Sequence, residues 1–175
     1  LERIEVNLFR GQSPDDGMRR VFGGQVIAQA LVAAYRTVET RVCHSLHAYF
    51  IRPGDPTIPI LYEVDRARDG KSFATRRVTA IQHGEQIFNL AASFQVAESG
   101  FTHQSPMPET KKPGELLSED ELRAMAKDHI PKEFQKQFSR PRPIELKPVD
   151  PRQMISPAKT EPKKQMWLRA RGKVD

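Results

Sequence analysis

The fold is decided by the stretch Val21-Phe22-Gly23-Gly24-Gln25-Val26-Ile27-Ala28-Gln29-Ala30-Leu31-Val32-Ala33-Ala34. The glycine pair lets the backbone approach its neighbours closely at the start of a helix. After the pair, the apolar residues fall on one broad helical face, and they are Val26, Ile27, Ala30, Leu31, Ala33 and Ala34. Because many of them are alanines, the helix has little bulk and can lie against a sheet that curls around it. The stretch therefore predicts a helix that is buried on most of its sides.

Four strand patterns follow this helix and are separated by turn signals. They cover residues 43–51, 58–64, 72–82 and 87–96, and they are rich in aromatic and β-branched residues or alternate apolar with polar positions. The turn signals are Arg52-Pro53-Gly54-Asp55, Asp69-Gly70 and His83-Gly84. A helix followed by four such strands predicts an α+β fold in which one helix covers an antiparallel meander.

The composition changes near residue 100. Residues 1–100 hold 12 Lys and Arg against 11 Asp and Glu, a net charge of +1, and residues 101–175 hold 16 against 11, a net charge of +5. Ten of the 14 prolines also fall in the second part. A basic, proline-rich segment without an apolar period does not build its own core. We therefore predict a domain at 1–100, a linker with short helices at 101–163 and a last strand within 164–175.

Local patterns in the second part predict little regular structure. Ser118-Glu119-Asp120-Glu121 is a capping box that predicts a short helix to about Asp128, and Pro131 predicts another through Phe138. Residues 140–162 carry six prolines and are expected to be irregular. The run Gln165-Met166-Trp167-Leu168-Arg169-Ala170-Arg171-Gly172 reads as a strand, for which we expect no partner within its own segment.

Charge and composition exclude several classes of protein. The pI is about 9.6, but the positive charges are scattered, and no aromatic stripe or zinc spacing accompanies them, so nucleic acid is not the expected partner. The one cysteine, Cys43, excludes an internal disulfide and suits a reducing compartment. No apolar run approaches the roughly 20 residues that cross a bilayer, so no membrane partner is expected. These features predict a cytoplasmic protein.

Several stretches together resemble the type II acyl-CoA thioesterases, a family built as two hotdog folds in one chain. They are Leu8-Phe9-Arg10-Gly11-Gln12, Val21-Phe22-Gly23-Gly24-Gln25, His44-Ser45-Leu46-His47-Ala48-Tyr49-Phe50, Arg52-Pro53-Gly54-Asp55, Asp69-Gly70-Lys71-Ser72-Phe73, Ala91-Ala92-Ser93-Phe94-Gln95 and the strand at 165–172. Each stretch alone is weak evidence for this resemblance, but the combination of all of them in this order is specific to the family. The resemblance implies a hotdog fold, a long helix wrapped by an antiparallel sheet. It also implies hydrolysis of acyl-CoA to a free acid and coenzyme A by an activated water, without a cofactor.

The resemblance further implies that the groups that activate the water lie elsewhere. In this family they are an Asp, a Thr or Ser, and a Gln of the second hotdog, expected beyond Asp175. The chain would then be the N-terminal portion of a longer enzyme, nearly inactive alone, with residues 164–175 opening the second hotdog. Its partners would be acyl-CoA and the C-terminal hotdog half, in the same chain or another. A peroxisomal location is the alternative to a cytoplasmic one.

Two other functions stay open at the level of sequence. The chain could be a non-catalytic acyl-CoA binding or assembly module, or a single-hotdog thioesterase that builds its site from two copies. Unpaired strand edges favour a homo-oligomer in every case.

The start of the helix is the first candidate substrate site. Free backbone N–H groups and a partial positive charge at Gly23, Gly24 and Gln25 suit the oxygen that becomes negative when a thioester is attacked. The alternative is that both glycines serve only the packing of helix against sheet.

Histidine and basic side chains supply the other candidates. His44 and His47 are three apart on a strand, which predicts opposite faces and argues against a metal site. His44 follows the helix connection, so we expect it to border the acyl cleft as a weak candidate for a base; the alternative is a structural, hydrogen-bonded imidazole. Basic residues cluster around the Asp69-Gly70 turn and are candidates for the phosphates of coenzyme A, or else are solvated: Arg66, Arg68, Lys71, Arg76 and Arg77.

Overall fold

A computed structural model describes residues 1–14, 17–126, 135, 142–152, 159 and 161–172 of the 175-residue chain. The chain divides into two units, Leu1–Thr102 and His103–Asp175, called here the first and second units. Within the described residues, no helix is both long and apolar enough to cross a bilayer.

The first unit consists of one helix and a six-stranded sheet. The strands are β1 (Glu2–Glu5), β2 (Leu8–Gly11), β3 (Val42–Phe50), β4 (Ile60–Asp69), β5 (Phe73–Gln82) and β6 (Glu85–Gln95), and the helix is α1 (Gly23–Tyr35). Neighbouring strands are antiparallel, and their order across the sheet is β1-β2-β4-β5-β6-β3. The two edge strands are therefore β1 and β3.

The core lies between α1 and one face of the sheet. The buried residues of α1 are Val26, Ala30, Ala33 and Ala34. Along the central strands every second side chain is buried, as a half-buried sheet requires, and the apolar ones include Ala74, Val78, Ala80, Leu90, Ala92 and Phe94. Three of the four buried helix residues are alanines, which lets the sheet close around α1. The predicted buried helix and α+β fold are confirmed.

The predicted meander is only partly right. β4, β5 and β6 follow one another in the sheet, but β3 lies beside β6 at the far edge instead of beside β4. The segment after β3 therefore crosses from one side of the sheet to the other and is not a tight turn. Two strands before the helix, β1 and β2, complete the sheet. Each has only four residues, too few for alternation to identify a strand in the sequence.

The two predicted hairpin turns are confirmed. Asp69-Gly70 connects β4 to β5, where the Gly70 N–H donates to Phe73 O at 2.8 Å. His83 and Gly84 connect β5 to β6, and both are in the left-handed region, with φ of 53° and 75°. Two successive positive φ angles are the geometry that matches the twist of a two-residue hairpin.

The second unit contains α2 (Glu119–Ala126), β7 (Ile144–Pro148) and β8 (Met166–Ala170). The predicted capping box is confirmed at the start of α2. The backbone N–H and the hydroxyl of Ser118 both lie 2.7 Å from Glu121 Oε2, and the Glu121 N–H donates to Ser118 Oγ at 3.2 Å. The predicted end of this helix at Asp128 lies outside the described residues, as does the helix predicted over 131–138 apart from Gln135.

Two predictions for the second unit are wrong. Ile144–Pro148 is a strand inside the segment predicted to be irregular. It pairs antiparallel with β8, from Ile144 opposite Ala170 to Pro148 opposite Met166, so the last strand does have a partner in its own segment. The proline is tolerated because it stands at the end of β7 on a sheet of only two strands.

Replacing Ser118 with Ala is expected to raise the pKa of Glu121. The backbone N–H of Ser118 and then its hydroxyl stabilise the ionised carboxylate by hydrogen bonds and hold its pKa below the ordinary glutamate value of 4.5. Alanine keeps the backbone bond and removes the hydroxyl bond. A carboxyl group whose pKa is lower in the folded state than in the unfolded state stabilises the fold at pH values above its ordinary pKa. This stabilisation is lost as the pH falls through the folded-state pKa. Titration of the Glu121 carboxyl carbon by NMR should give a higher pKa in the variant. Equal values in variant and wild type would contradict this role of Ser118.

Candidate active site

The N-terminus of α1 has no side-chain cap. Its N-cap residue is Phe22, which is extended (φ −68°, ψ 123°), and the first turn contains no acidic residue. Gln25 and Val26 donate the first hydrogen bonds of the helix, both to Phe22 O. Among the described residues, the N–H groups of Gly23 and Gly24 therefore have no acceptor. Because Ser, Thr, Asp or Asn usually fills this position, a phenylalanine leaves two donors and the positive end of the helix dipole open.

The two glycines also make room for aromatic rings. A Cβ atom on Gly23 would lie 2.9 Å from the ring of Phe50, and one on Gly24 would lie 2.5 Å from the ring of Phe22. Both rings are more than half exposed, Phe22 by 63% and Phe50 by 59%. Both glycines therefore do serve packing, because a larger residue at either position would overlap an aromatic ring. This packing also places an apolar surface beside the two open N–H groups.

A cleft of about 370 Å³ lies beside this helix start. Phe50 and Phe88 form one wall, with ring centroids 5.1 Å apart and planes tilted by 53°. The other apolar side chains of the lining are Val21, Val26, Ile51, Pro53 and Ile87. The charged residues that line the cleft are two arginines, Arg20 and Arg52, and its described lining contains no carboxylate or imidazole. The cleft can therefore accept an apolar group, but it does not itself contain a base.

The segment after β3 forms one side of the cleft and is anchored by Gln82, which is 5% exposed. The Gln82 amide nitrogen donates to Asp55 O at 2.8 Å and to Ile58 O at 3.0 Å, and its oxygen accepts from the Asp55 N–H at 2.8 Å. The Val21 N–H donates to Gly54 O at 3.0 Å. The Gln82 bonds tie the crossover segment to β5, and the Val21 bond ties it to the residues that lead into α1.

Gln25, predicted to belong to the substrate site, binds the chain after β2. Its amide nitrogen donates to Gln12 O at 3.0 Å and to Ser13 Oγ at 3.2 Å. One turn later Gln29 donates to the same carbonyl at 3.1 Å and accepts from the Tyr62 hydroxyl at 2.8 Å. Burial raises the pKa of Tyr62 above its ordinary value, so the hydroxyl stays a donor. The amide nitrogen of Gln25 thus holds the helix start against β2.

His44 lies on the outer face of the sheet, away from the cleft. The register of β3 shifts between Cys43 and Ser45, which leaves His44 in a bulge. Its Nε2 lies 2.9 Å from Ser93 Oγ, on the face of β6 that points away from the helix. Six residue steps of β3, roughly 20 Å, separate His44 from Phe50 beside the cleft.

Two predictions about the histidines are therefore wrong. The spacing of His44 and His47 predicts opposite faces, but the bulge adds one residue and puts both on the outer face. His47 packs there against Tyr49, with ring centroids 4.8 Å apart. The expectation that His44 borders the cleft also fails, and its hydrogen-bonded position fits the structural alternative. Among the described residues, no three His, Cys, Asp or Glu side chains group as metal ligands.

Arg76 is not available for a phosphate, which corrects its assignment to the substrate site. It is 1% exposed and packs under the end of α1. Its Nε donates to Thr37 Oγ1 at 2.8 Å and its Nη2 to Thr37 O at 2.9 Å. The other three N–H groups donate to Arg68 O at 3.0 Å, Thr75 O at 2.9 Å and Asp69 Oδ1 at 2.5 Å. All five donors are occupied, so Arg76 joins the helix end to the β4–β5 hairpin.

The remaining basic candidates lie at that same end of the helix. Arg66, Arg68, Lys71 and Arg77 are exposed. Arg66 donates to Asn7 Oδ1 at 2.8 Å. The 13 residues of α1, roughly 20 Å, separate this hairpin from the cleft. Of the predicted site residues, the structure therefore brings Gly23 into the lining of the cleft, with Gly24 next to it in the chain, and it places the basic candidates at the other end of the helix.

Comparison with known proteins agrees with the fold and with the motifs. Residues 12–95 match the family described as Acyl-CoA thioesterase N-terminal domain. Human acyl-coenzyme A thioesterase 8 is 43% identical to this chain over 182 residues, which cover 99% of the chain. The chain belongs to the type II acyl-CoA thioesterase family. It spans 57% of the length of that human relative.

Solved structures support the same assignment for this thioesterase family member. The acyl-CoA thioesterase II TesB2 of Mycobacterium marinum is 38% identical, with a TM-score of 0.71, and the match covers 99% of this chain and 59% of that one. A protein of unknown function from Alicyclobacillus acidocaldarius, described as having a hot dog fold, gives a TM-score of 0.70 at 18% identity. It matches 97% of this chain and 60% of its own length, and it supports the fold alone.

Three residues of this thioesterase domain escaped the sequence-based predictions. Gln82 was detectable, because alternation from the buried Val78 and Ala80 places it on the inner face of β5. Arg52 stood inside a recognised turn signal, but nothing in the sequence indicated that this turn lines a cleft. Tyr62 was expected on a half-buried strand, and its bond to Gln29 depends on contacts between distant segments.

Proposed function

We propose that this chain contributes the acyl-binding part of an acyl-CoA thioesterase, which hydrolyses acyl-CoA to a free acid and coenzyme A. The observation that carries the proposal is the uncapped start of α1 beside an apolar cleft. The names of the human and mycobacterial relatives, both acyl-CoA thioesterases, support the substrate class.

In this proposal the helix start holds the thioester carbonyl. Its oxygen accepts hydrogen bonds from the open N–H groups of Gly23 and Gly24, which stabilise the negative charge of the tetrahedral intermediate. The acyl chain lies against Phe50 and Phe88, where burial of apolar surface favours binding. Water attacks the carbonyl carbon, its proton goes to a base, and the thiolate of coenzyme A leaves.

The base has to come from outside the cleft described above, because the described lining contains no carboxylate or imidazole. We propose that a second hotdog supplies it, as the resemblance implies for an Asp, a Thr or Ser, and a Gln. The coverage of only 57% and 59% of the relatives' lengths supports a further part of this kind.

The edge strand β3 is the proposed place where the second hotdog, or another copy of the chain, pairs. Among the described residues, its one ladder is to β6. Three exposed apolar side chains lie along it: Val42, Tyr49 and Phe50. A long, apolar edge of this kind favours pairing with another strand. A homo-oligomer stays a proposal, as do the cytoplasmic and peroxisomal locations.

A pair of variants at Gly23 tests the role of the helix start. Gly23→Pro removes the N–H group but suits the first position of a helix, and the extended Phe22 (ψ 123°) suits a following proline. Gly23→Ala adds the same Cβ atom and keeps the N–H group. Acyl-CoA hydrolysis, followed by thiol release with the second hotdog present, should be at least about 100-fold slower in the proline variant than in the alanine variant.

Equal rates in the two Gly23 variants would contradict a catalytic role of this N–H group. Thermal unfolding of both variants provides the control, because equal stability separates a loss of the donor from a loss of the fold.

A further inference from the structure

The two arginines that line the cleft come from different segments that are tied together. Arg20 precedes α1, and Arg52 follows β3. The N–H groups of Ile51 and Arg52 both donate to Ile87 O, at 2.9 and 3.1 Å, and the Val21 N–H donates to Gly54 O at 3.0 Å. The backbones that carry the two arginines are therefore fixed relative to each other and to the helix start.

The guanidinium of Arg52 is oriented but remains accessible. Its Nη1 donates to Gln86 O at 2.8 Å, and its Nε lies 3.5 Å from Glu85 Oε2. The Arg52 side chain is 47% exposed, so water and ligands can reach it. A single ion pair at 3.5 Å between two exposed side chains neutralises its charge only weakly.

The charge of the cleft is positive on balance. Its described lining holds Arg20 and Arg52 and no acidic residue, and the positive end of the α1 dipole adds to the same field. Arg20 is exposed at the surface. An apolar cleft with a cationic rim suits a ligand that has an apolar part and an oxyanion in one molecule.

We propose that Arg20 and Arg52 bind the phosphate groups of coenzyme A at the mouth of the cleft. This inference rests on the proposed function, and it replaces the β4–β5 hairpin as the phosphate site. The hairpin lies at the opposite end of α1, roughly 20 Å from the N–H groups that would hold the thioester. Arg20 and Arg52 line the same cleft as Gly23, so one ligand can reach all three.

Equilibrium binding of two thioesters to the full 175-residue chain tests this assignment. Octanoyl-CoA carries the phosphates, and S-octanoyl-pantetheine has the same acyl group and thioester without them. The double variant Arg20→Gln with Arg52→Gln should weaken octanoyl-CoA binding by about tenfold or more and leave octanoyl-pantetheine binding within about twofold. The affinity of the wild type for octanoyl-CoA should fall with salt, and that of the variant should fall less.

The matched control is Arg3→Gln, which replaces an exposed arginine on the edge strand β1 and should change neither affinity. Equal loss of both thioesters in the double variant, or loss of neither, would overturn the assignment. So would a larger loss of octanoyl-CoA binding in Arg66→Gln with Lys71→Gln, which would return the phosphates to the hairpin. If the wild type binds neither thioester, the proposed function itself fails, and the arginine assignment fails with it.

Discussion

Arg76→Met is expected to lower the free energy of unfolding of the first unit by about 3 kcal/mol or more. Methionine can fill part of the space, but it donates no hydrogen bonds. The buried hydroxyl and carbonyl of Thr37 and the carbonyl of Arg68 would lose their donors, which are now 2.8 to 3.0 Å away. Each buried polar group left without a partner costs about 1–3 kcal/mol. The loss should therefore be among the largest that a single substitution causes in this unit.

Arg77→Met provides the matched control for this prediction. Arg77 is the next residue on β5 but is exposed on the outer face, so its replacement should change stability by no more than about 0.5 kcal/mol. All three tyrosines of the chain lie in the first unit and its one tryptophan lies in the second. Urea unfolding followed by tyrosine signals therefore reports on the first unit. Similar midpoints for the two variants would mean that the Arg76 network does not stabilise the fold.

Gly11→Ala is the second substitution with a large expected effect, a loss of about 3 kcal/mol. A Cβ atom on Gly11 would lie 2.2 Å from Gln29 Oε1 and 2.9 Å from a ring carbon of Tyr62. Tyr62 is fully buried and has no room to withdraw. The Gln29 amide would have to move, which would break its bonds to Gln12 O and to the Tyr62 hydroxyl. Overpacking and the lost bonds contribute together.

Gly100→Ala separates this effect from a general effect of glycine replacement. A Cβ atom on Gly100 would meet nothing within 4 Å. The free energy of unfolding of the Gly100→Ala variant should therefore stay within about 0.5 kcal/mol of the wild-type value. Thermal unfolding should place Gly11→Ala about 10 °C or more below Gly100→Ala, given about 4–8 °C per kcal/mol for a unit of this size. Equal melting temperatures would show that the Gln29 amide can move without cost.

The helix was the most predictable element, and the sheet order was the least. The apolar face of α1 follows from the spacing of Val26, Ala30, Ala33 and Ala34, because a single helix sets that period. The position of β3 beside β6 depends on a crossover whose anchor, Gln82, lies 27 residues after Asp55 in the chain. Local pattern contains no information about such a pairing, so the simplest topology, a meander, was the natural expectation.

The errors at the site also have specific physical causes. One inserted residue in β3 reverses the alternation that the His44 and His47 prediction relied on, and bulges are not visible in composition. The Arg76 error arose because arginine is usually exposed. The alternation along β5 puts Arg76 on the same inner face as Val78 and Ala80. A prediction that weighted this alternation above residue type would have placed Arg76 in the interior.

Identifying the candidate site required both the sequence and the structure. The sequence pointed to Gly23 and Gly24, because a glycine pair before an apolar helix is a local pattern. The cleft beside them is formed by β3, β6 and the crossover segment as well, so Phe88 and Arg52 became site residues only once these distant segments were seen together.

The most direct test of the central claim is the hydrolysis of octanoyl-CoA by this chain, measured by free-thiol release. The chain would be assayed alone and then mixed with the unmatched part of human acyl-coenzyme A thioesterase 8, used here as the source of the proposed second hotdog. We predict thiol release in the mixture and little or none from either part alone. Rapid release by the chain alone would mean that it contains its own base. No release in the mixture, with binding between the two parts confirmed, would contradict the claim that this chain supplies half of a thioesterase site.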